Sequence, residues 1–179
     1  MSHYYSNKEL RVLGFSSIGI NVCISRDARF YGEFTVGDNV RVDDFCILTG
    51  TINIGSYVHI GAHTCLYGSG GISMGDYSTC SGRVNIYSAS DDFSGNYMIS
   101  PLVPPKLTRV TRKKIIMRRF SIVGTGSTLL PGAVLGEGTA VGAMSLVKCA
   151  LLPWSVYAGI PVRFISKRSD KMKSRVLCQ

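Results

Sequence analysis

The sequence predicts an all-β fold in which short parallel strands wind into a coil of triangular cross-section. Large apolar residues recur at every sixth position, from Ile18 through Ile24 and Phe30 to Ile72. Small or β-branched residues occupy most positions two residues earlier, and glycine often follows the apolar residue. A period of six fits one short strand plus one turn, unlike the periods of a helix or a simple alternating strand. Three such units complete one coil, and coils stack at the strand spacing of about 4.8 Å.

The extent of the repeat predicts about six coils and one long insertion. The phase slips by two residues at Gly70 and Gly71, resumes at Met74, ends at Ile86, and returns from Met117 to Val147. Twelve units before the break make four coils, and six units after it make two more. We therefore expect a β-helix domain over residues 18–165. Its inserted loop, at about 87–116, contains three prolines that disfavour regular strand pairing.

The two flanks predict short helices or irregular arms. Ser6 and Glu9 have the spacing of a capping box ahead of Leu10, which favours one short helix within residues 1–17. An unstructured arm is the alternative for this segment. Residues 166–179 form a basic tail that either adds a short helix or remains mobile.

The composition excludes several classes of protein. The chain has 179 residues, enough for one domain, with 45% hydrophobic and 17% charged residues and a net charge of +9. This hydrophobicity excludes a disordered chain, the aperiodic glycines exclude collagen, and the lack of a CxxC pair argues against a zinc ribbon. The first residues carry no signal-peptide core, and Pro131 interrupts the one charge-poor stretch. We therefore expect a cytoplasmic protein with reduced cysteines and no stable membrane insertion.

Several motifs carry a resemblance to a known family. They are Ile122-Val-Gly, Leu130-Pro-Gly-Ala-Val-Leu-Gly-Glu-Gly, Val141-Gly-Ala-Met-Ser-Leu-Val, Pro153-Trp and Tyr157-Ala-Gly-Ile-Pro-Val-Arg-Phe-Ile. From Ile18 to about Lys167 the chain resembles the hexapeptide-repeat acyltransferases, and these motifs are similar to their galactoside, maltose and xenobiotic acetyltransferase branch. The segment from Ile86 to Phe93 looks closest to members that acetylate sugars or nucleotide-linked sugars for surface polysaccharide.

The resemblance implies a fold, a reaction and an assembly. The fold would be a left-handed parallel β-helix, and the assembly would be a homotrimer with its sites between adjacent subunits. The reaction would move an acetyl group from acetyl-CoA to a hydroxyl or amino group of a sugar or nucleotide-linked sugar. The pathway would be O-antigen or capsule biosynthesis. Direct transfer of this kind requires no metal.

Direct transfer needs a group that takes the proton of the acceptor. Histidine is the usual base because its pKa lies near neutrality, and the sequence offers His59 and His63 besides His3 at the N-terminus. The resemblance puts Asp91 where the family has its catalytic histidine. Asp91 is therefore a third candidate, and a reactive amine that needs little general-base help is the remaining alternative.

Residues near Asp91 are expected to bind the acceptor. They are Asn85, Ser88 and Asp92. For Asn85 and Ser88 the alternative is a structural one, in which the polar side chain hydrogen-bonds the backbone at a corner of the coil.

The resemblance also locates CoA. Small-residue turns after the break would let the pantetheine arm approach the backbone, at Gly124, Gly126, Gly142, Ala143 and Ser145. The turn at Ala158 and Gly159 would meet the adenine end, with Arg163 and Arg168 reaching phosphate. Basic clusters within 106–119 and 163–175 fit phosphate better than nucleic acid, because no nucleic-acid motif accompanies them.

Two alternatives to acyl transfer remain open at this point. A related β-helix group, the gamma-class carbonic anhydrases, binds zinc through three histidines, and a zinc-dependent hydratase would need such a set. His59 and His63 have no third histidine in their coil. The other alternative is a non-catalytic binding or scaffold protein that uses the same coil.

Overall fold

The computed structural model of this protein describes residues 3–176. A short helix, α1 (Asn7–Val12), precedes the strands, and α2 (Met172–Val176) follows them. In chain order the strands are β1 (Phe15–Ile18), β2 (Cys23–Ile24), β3 (Arg29–Val36), β4 (Arg41–Val42), β5 (Ile47–Ile54), β6 (His59–Ile60), β7 (Cys65–Met74), β8 (Thr79–Cys80), β9 (Asn85–Tyr87), β10 (Ala89–Ser90), β11 (Thr111–Arg112), β12 (Ile115–Met117), β13 (Ile122–Val123), β14 (Thr128–Leu129), β15 (Val134–Leu135), β16 (Ala140–Val141), β17 (Leu146–Val147), β18 (Ala150–Leu151), β19 (Ser155–Ala158) and β20 (Arg163–Lys167). Within the described residues, neither helix has the length and apolar character needed to span a membrane.

Parallel strands stack along three faces, which confirms the parallel β-helix. Face I consists of β2, β4, β6, β8, β13, β16 and β19. The long strands β3, β5 and β7 contribute to two faces. Their first halves line up with β9, β14 and β17 on face II, and their second halves with β1, β12, β15 and β18 on face III.

The coil is longer than the six turns that the hexads predict. Seven strands stack on face I and seven on face III within the described part of the chain. The hexads do not predict the last turn, because Leu151 comes four positions after Val147 and the six-residue phase is lost there. The two-residue slip at Gly70 and Gly71 is confirmed, since β7 has 10 residues where β5 has 8.

The large apolar residue of each hexad points into the coil. Ile24, Ile60 and Ile86 have no exposed surface. The smaller residues two positions earlier are buried as well, and several carry hydroxyls. Thr64 Oγ1 donates to the Ser81 carbonyl at 3.0 Å, and Ser127 Oγ donates to the Gly142 carbonyl at 3.0 Å. These bonds tie one coil to the next while they satisfy buried polar groups.

Three corners connect the faces. Corner 1 leads from face III to face I, corner 2 from face I to face II, and corner 3 from face II to face III. At corner 1 the side chains of Tyr57, Tyr77 and Phe120 stack with ring centroids 4.6 and 5.2 Å apart. Trp154 continues this stack at 6.0 Å from Phe120, so it closes the last turn as a packing residue of corner 1.

Corner 3 carries the insertion, and the flanks fold onto the coil. β10 and β11 pair antiparallel at its base, and the loop between them includes a 3₁₀ turn at Pro105–Leu107. The capping box of α1 is confirmed, because Ser6 Oγ accepts from the Glu9 amide and the Glu9 side chain accepts from the Ser6 amide. At the other end β20 returns antiparallel to β19.

Candidate functional site

Corner 2 stacks the small residues that the sequence assigns to CoA. A Cβ added to Gly124 would lie 2.5 Å from the Ala143 nitrogen, and one added to Gly142 would lie 3.0 Å from the Ala158 Cβ. Gly126 and Gly159 follow in the same corner with φ of +69° and +107°. An extended ligand chain can therefore approach the backbone at Gly124, Gly142 and Gly159, whereas the exposed side chain of Met144 lies over Gly126.

Ser145 has a different position from the rest of that set. It is buried, its Oγ accepts from the Gly159 amide at 3.1 Å, and the same Oγ donates to the Ala143 carbonyl at 3.3 Å. Ser145 therefore holds the small-residue row together from within the coil and leaves no surface for a ligand.

The two arginines assigned to phosphate lie apart. Arg163 is exposed beside Ala158, its register partner in the antiparallel pair, and so remains next to corner 2. The prediction that Arg168 reaches a phosphate of CoA is not supported by its position. Its Nη1 donates to the carbonyls of Phe120 and Gly138, both at 2.9 Å, and burial lowers the pKa of its guanidinium. Because β20 runs back across face I, five residues carry the chain from corner 2 to corner 1.

His59 lies in the middle of face I and belongs to a small polar group. Its Nε2 is 2.8 Å from Asp43 Oδ2, and Arg41 Nε donates to Asp43 Oδ1 at 2.6 Å. Burial raises the pKa of Asp43, but the hydrogen bonds from His59 and Arg41 outweigh it and keep the pKa below its usual range. This face carries neither the small-residue row nor the inserted loop.

His63 lies at corner 2, one corner turn beyond His59. Its backbone is left-handed, with φ of +60°, and its ring stacks on Phe45 with centroids 5.0 Å apart and an interplanar angle of 25°. His59 therefore lies on face I and His63 at corner 2, although they are only four residues apart in sequence.

Asp91 lies at the start of the inserted loop and borders two cavities. One cavity, of about 630 Å³, is also lined by Tyr67, Tyr87, Pro101 and Arg112. The other, of about 560 Å³, is lined by Phe93 and Leu130 as well as Tyr87 and Asp91. Asp91 is exposed, and its carboxylate makes no ion pair with any other residue among 3–176.

The neighbours of Asp91 have mainly structural bonds. The Asp92 carboxylate accepts from Ser94 Oγ at 2.9 Å and from the amides of Asn96 and Tyr97, and these bonds, led by that of Ser94, lower its pKa. Asp92 thus folds the first turn of the loop. Asn85 is half-buried on face II, and it remains available for an acceptor.

Ser88 was predicted to bind the acceptor, but its side chain is not accessible to one. It has no exposed surface, its Oγ accepts from the Gly70 amide at 2.8 Å, and the same Oγ donates to the Tyr67 carbonyl at 2.9 Å. Ser88 therefore has the structural role, in which its side chain hydrogen-bonds the backbone. The two extra residues of β7 leave the Gly70 amide without a strand partner, and Ser88 supplies one.

The basic residues of 106–119 do not form one phosphate patch. Arg112 lines the larger cavity, whereas the Arg109 guanidinium lies 5.5 Å from the Tyr97 ring within the loop. Arg119 lies at corner 1, where its guanidinium is 5.1 Å from the Phe120 ring and 3.8 Å from Asp76. The fold therefore distributes this cluster over two corners.

Ser81 and Arg83 are two polar residues outside the predicted site. Both lie at corner 2, in the coil next to Gly124, since β8 pairs with β13 in register. The signal was present in the hexad phase, because Ser81 follows the inward Cys80 as Gly124 follows the inward Val123.

The described residues contain no cluster of metal-binding side chains near these groups. Among residues 3–176 no three or more His, Cys, Asp and Glu side chains lie together as a metal would require. The zinc-dependent alternative therefore has no ligand set in the described chain.

Comparison with known proteins bears on the reaction. No protein-family model matches the chain. A dTDP-4-amino-4,6-dideoxy-D-glucose acyltransferase of Escherichia coli is 41% identical over 174 residues, which cover 94% of this chain and 91% of that protein. WbbJ of Escherichia coli, assigned as an O-acetyltransferase of lipopolysaccharide biosynthesis, is 27% identical over 153 residues, covering 80% and 74%.

A solved structure matches almost the whole chain. AntD, an N-acyltransferase from Bacillus cereus, has a TM-score of 0.92 and 44% identity over 99% of this chain and 96% of its own. It was solved in complex with dTDP-4-amino-4,6-dideoxyglucose and coenzyme A, and also with dTDP and 3-hydroxybutyryl-CoA. Some of its structures are variants in which a serine, or an aspartate ten residues further along, is replaced.

Proposed function

Since this chain belongs to the hexapeptide-repeat sugar acyltransferases, we propose that it transfers an acyl group from acyl-CoA to the 4-amino group of a dTDP-linked 4-amino-4,6-dideoxy sugar. The proposal rests on the match to the Escherichia coli enzyme, which extends over 94% of this chain at 41% identity. Acetyl-CoA is the first donor to test, and 3-hydroxybutyryl-CoA, which AntD binds, is the second.

Asp91 is the proposed base. AntD was studied through a serine and an aspartate ten residues apart, and this chain has Ser81 and Asp91 with the same separation. Asp91 is exposed at the wall between two cavities, so it can reach a bound acceptor. His59 is engaged with Asp43 on another face, which weakens its claim to the same role.

The reaction balances as a direct transfer. The neutral amine attacks the thioester carbonyl and forms the C–N bond, and the carboxylate of Asp91 accepts the proton that the nitrogen loses. The tetrahedral intermediate then expels CoA as its thiolate, which takes up a proton to leave as the free thiol. The products are the amide-bearing nucleotide sugar and CoA.

We also propose a homotrimer, which the positions of Ser81 and Asp91 support. Ser81 lies at corner 2 and the inserted loop at corner 3, and the width of face II, roughly 15 Å of extended chain, separates them within one chain. One acceptor amine cannot meet both groups of a single chain. Two copies placed side by side bring corner 2 of one against corner 3 of the next, and three copies close such a ring.

The cellular setting belongs to the same proposal. Acyl-CoA and nucleotide-linked sugars are cytoplasmic substrates, so we place the reaction in the cytoplasm. The likeness to WbbJ supports a role for the product in surface polysaccharide, and the sugar would be acylated before its transfer from dTDP.

The test is an acyl-transfer assay that follows release of the CoA thiol. We expect turnover of dTDP-4-amino-4,6-dideoxyglucose with acetyl-CoA or 3-hydroxybutyryl-CoA, and a fall in kcat of about 100-fold in Asp91→Asn. Asp170→Asn, an exposed carboxylate of the tail, is the matched control and should keep wild-type kcat.

Two results would contradict this assignment. Transfer to hydroxyl-bearing sugars without transfer to the amino sugar would make the protein an O-acetyltransferase. A loss of kcat in His59→Ala together with full activity in Asp91→Asn would move the base to His59.

A further inference from the structure

Corner 2 carries a second ladder, which continues the small-residue row into the N-terminal coils. Phe45, His63 and Arg83 occupy equivalent positions in three successive coils, with φ of +60°, +60° and +61°. A non-glycine residue in this left-handed conformation is strained relative to glycine, which occupies the equivalent position at Gly126. The corner does not require these particular side chains, because Gly126 and Met144 make the same turn with φ of +69° and +54°.

The two lower members of the ladder form an exposed aromatic surface. The rings of Phe45 and His63 stack at 5.0 Å, and Phe45 remains 54% exposed. An aromatic stack of this kind offers faces and edges on which a planar base can pack.

The third member, Arg83, is a cation without a side-chain partner in the described part of the chain. Within residues 3–176 the Arg83 guanidinium makes no hydrogen bond, ion pair or ring contact, and only its backbone amide is bonded, to the Ala62 carbonyl. The ladder at corner 1 differs, because its arginine, Arg119, packs on Tyr77 and Phe120 and approaches Asp76. The charge of Arg83 is thus available to a ligand anion.

The position of the ladder relates it to the proposed reaction. Ser81 is two residues before Arg83 at the same corner. The next two coils toward the C-terminus place Gly124 and Gly142 at this corner, whereas Phe45 and His63 lie in the two preceding coils. Two coil steps, about 10 Å, separate Phe45 from Arg83. That length matches the span from a nucleobase to the diphosphate of a nucleotide sugar whose sugar lies at Ser81.

We propose that Phe45, His63 and Arg83 bind the nucleoside diphosphate part of the acceptor, with the base on the Phe45–His63 pair and the diphosphate on Arg83. The inference rests on the proposed function, since it assumes a nucleotide-linked acceptor. Arginine suits a diphosphate because its planar fork pairs with two phosphate oxygens at once. His63, in this arrangement, contributes a ring surface rather than a base.

Three variants test the proposal in the acyl-transfer assay. His63→Ala and Arg83→Gln should each raise KM for the nucleotide sugar roughly tenfold, with KM for acyl-CoA and kcat near wild type. His63→Phe keeps an aromatic ring but removes the titratable nitrogens, so it should restore KM to near wild type. The matched control is Tyr57→Ala, which removes a ring from the comparable stack at corner 1 and should leave both KM values unchanged.

Binding of dTDP alone gives a second readout that does not depend on turnover. Titration calorimetry with dTDP should show weaker binding in His63→Ala and Arg83→Gln than in wild type and Tyr57→Ala.

The outcomes separate this inference from the proposed function. If the wild type turns over the nucleotide sugar while both variants keep the wild-type KM and dTDP affinity, this inference fails and the proposed function stands. If His63→Phe loses kcat as His63→Ala does, His63 is a base and the platform role is overturned. If the wild type neither binds dTDP nor uses the sugar, the proposed function itself fails.

Discussion

At the scale of single residues, glycines at corner 3 set how closely the N-terminal coils approach each other. Gly14, Gly32 and Gly50 follow one another from coil to coil, all with positive φ. A Cβ on Gly14 would overlap the Gly32 carbonyl oxygen, and one on Gly32 would overlap the Gly50 carbonyl oxygen. The backbones meet with no room for a side chain, so both space and conformation demand glycine here.

Gly32→Ala should therefore destabilise the protein by about 3 kcal/mol, because strain in the left-handed region adds to a clash with backbone that cannot move aside. Gly95→Ala is the control, since Gly95 also has positive φ but nothing lies within 4 Å of its Cβ position. Urea unfolding at equilibrium measures both free energies. Equal losses in the two variants would show that conformation alone, and not the contact, makes Gly32 necessary.

At the scale of elements, one carboxylate fastens α1 to the first coil. The Glu9 side chain accepts from the Ser6 amide and hydroxyl at 2.8 and 2.7 Å, and from Arg26 Nη2 at 2.9 Å. The hydrogen bonds from Ser6, and then that from Arg26, lower the pKa of Glu9 from 4.5 to about 2. The helix therefore depends on an ionised Glu9 both for its cap and for its attachment.

This pKa shift predicts a pH-dependent difference between wild type and Glu9→Gln. A carboxyl whose pKa is depressed in the folded state contributes stability above its unfolded pKa, near 4.5, and loses it as pH falls through about 2. We expect the wild type to have the higher Tm at pH 7 and the two Tm values to converge near pH 2. Glu33→Gln, an exposed strand residue, should show no such convergence. A Tm difference between wild type and Glu9→Gln that stayed constant down to pH 2 would refute the role of the ionised group.

At the scale of the whole molecule, each coil is stabilised only by the coils on either side of it. Leu66 is buried between Leu48 and Ile86, its register partners in the neighbouring coils. Leu151 ends its face, because β18 pairs with β15 on one side only. Stability in such a stack is a sum of nearest-neighbour terms, so the same substitution costs more in the middle than at an end.

Leu66→Ala should consequently cost about 3–5 kcal/mol, whereas Leu151→Ala should cost about half as much. Denaturant unfolding of both variants at one protein concentration gives the comparison, since assembly would make the free energy of unfolding depend on concentration. A larger loss in Leu151→Ala than in Leu66→Ala would contradict nearest-neighbour stabilisation.

How far the sequence predicts each feature depends on the range of the interactions that determine it. The hexads predict the coil because each apolar position, such as Ile60, reports its own burial through its phase. The missing turn at Leu151 shows the limit, since a corner of two residues breaks that phase without ending the coil. The sequence also predicts the wrong position for Arg168. It was expected beside the CoA phosphates, but nothing in the local pattern shows that β20 reverses direction and carries Arg168 to corner 1.

The sequence by itself determined the parallel β-helix, the place of the insertion and the small-residue row at corner 2, because all of these follow from a local period and from glycine at its turns. Only the tertiary structure separated His59 from His63, buried Ser88, and left the Arg83 guanidinium beside an aromatic stack with no partner among residues 3–176. Those outcomes depend on which residues from coils eighteen or more positions apart meet at one corner. A six-residue period places a residue on a face or corner of its coil, but only stacking decides what lies next to it.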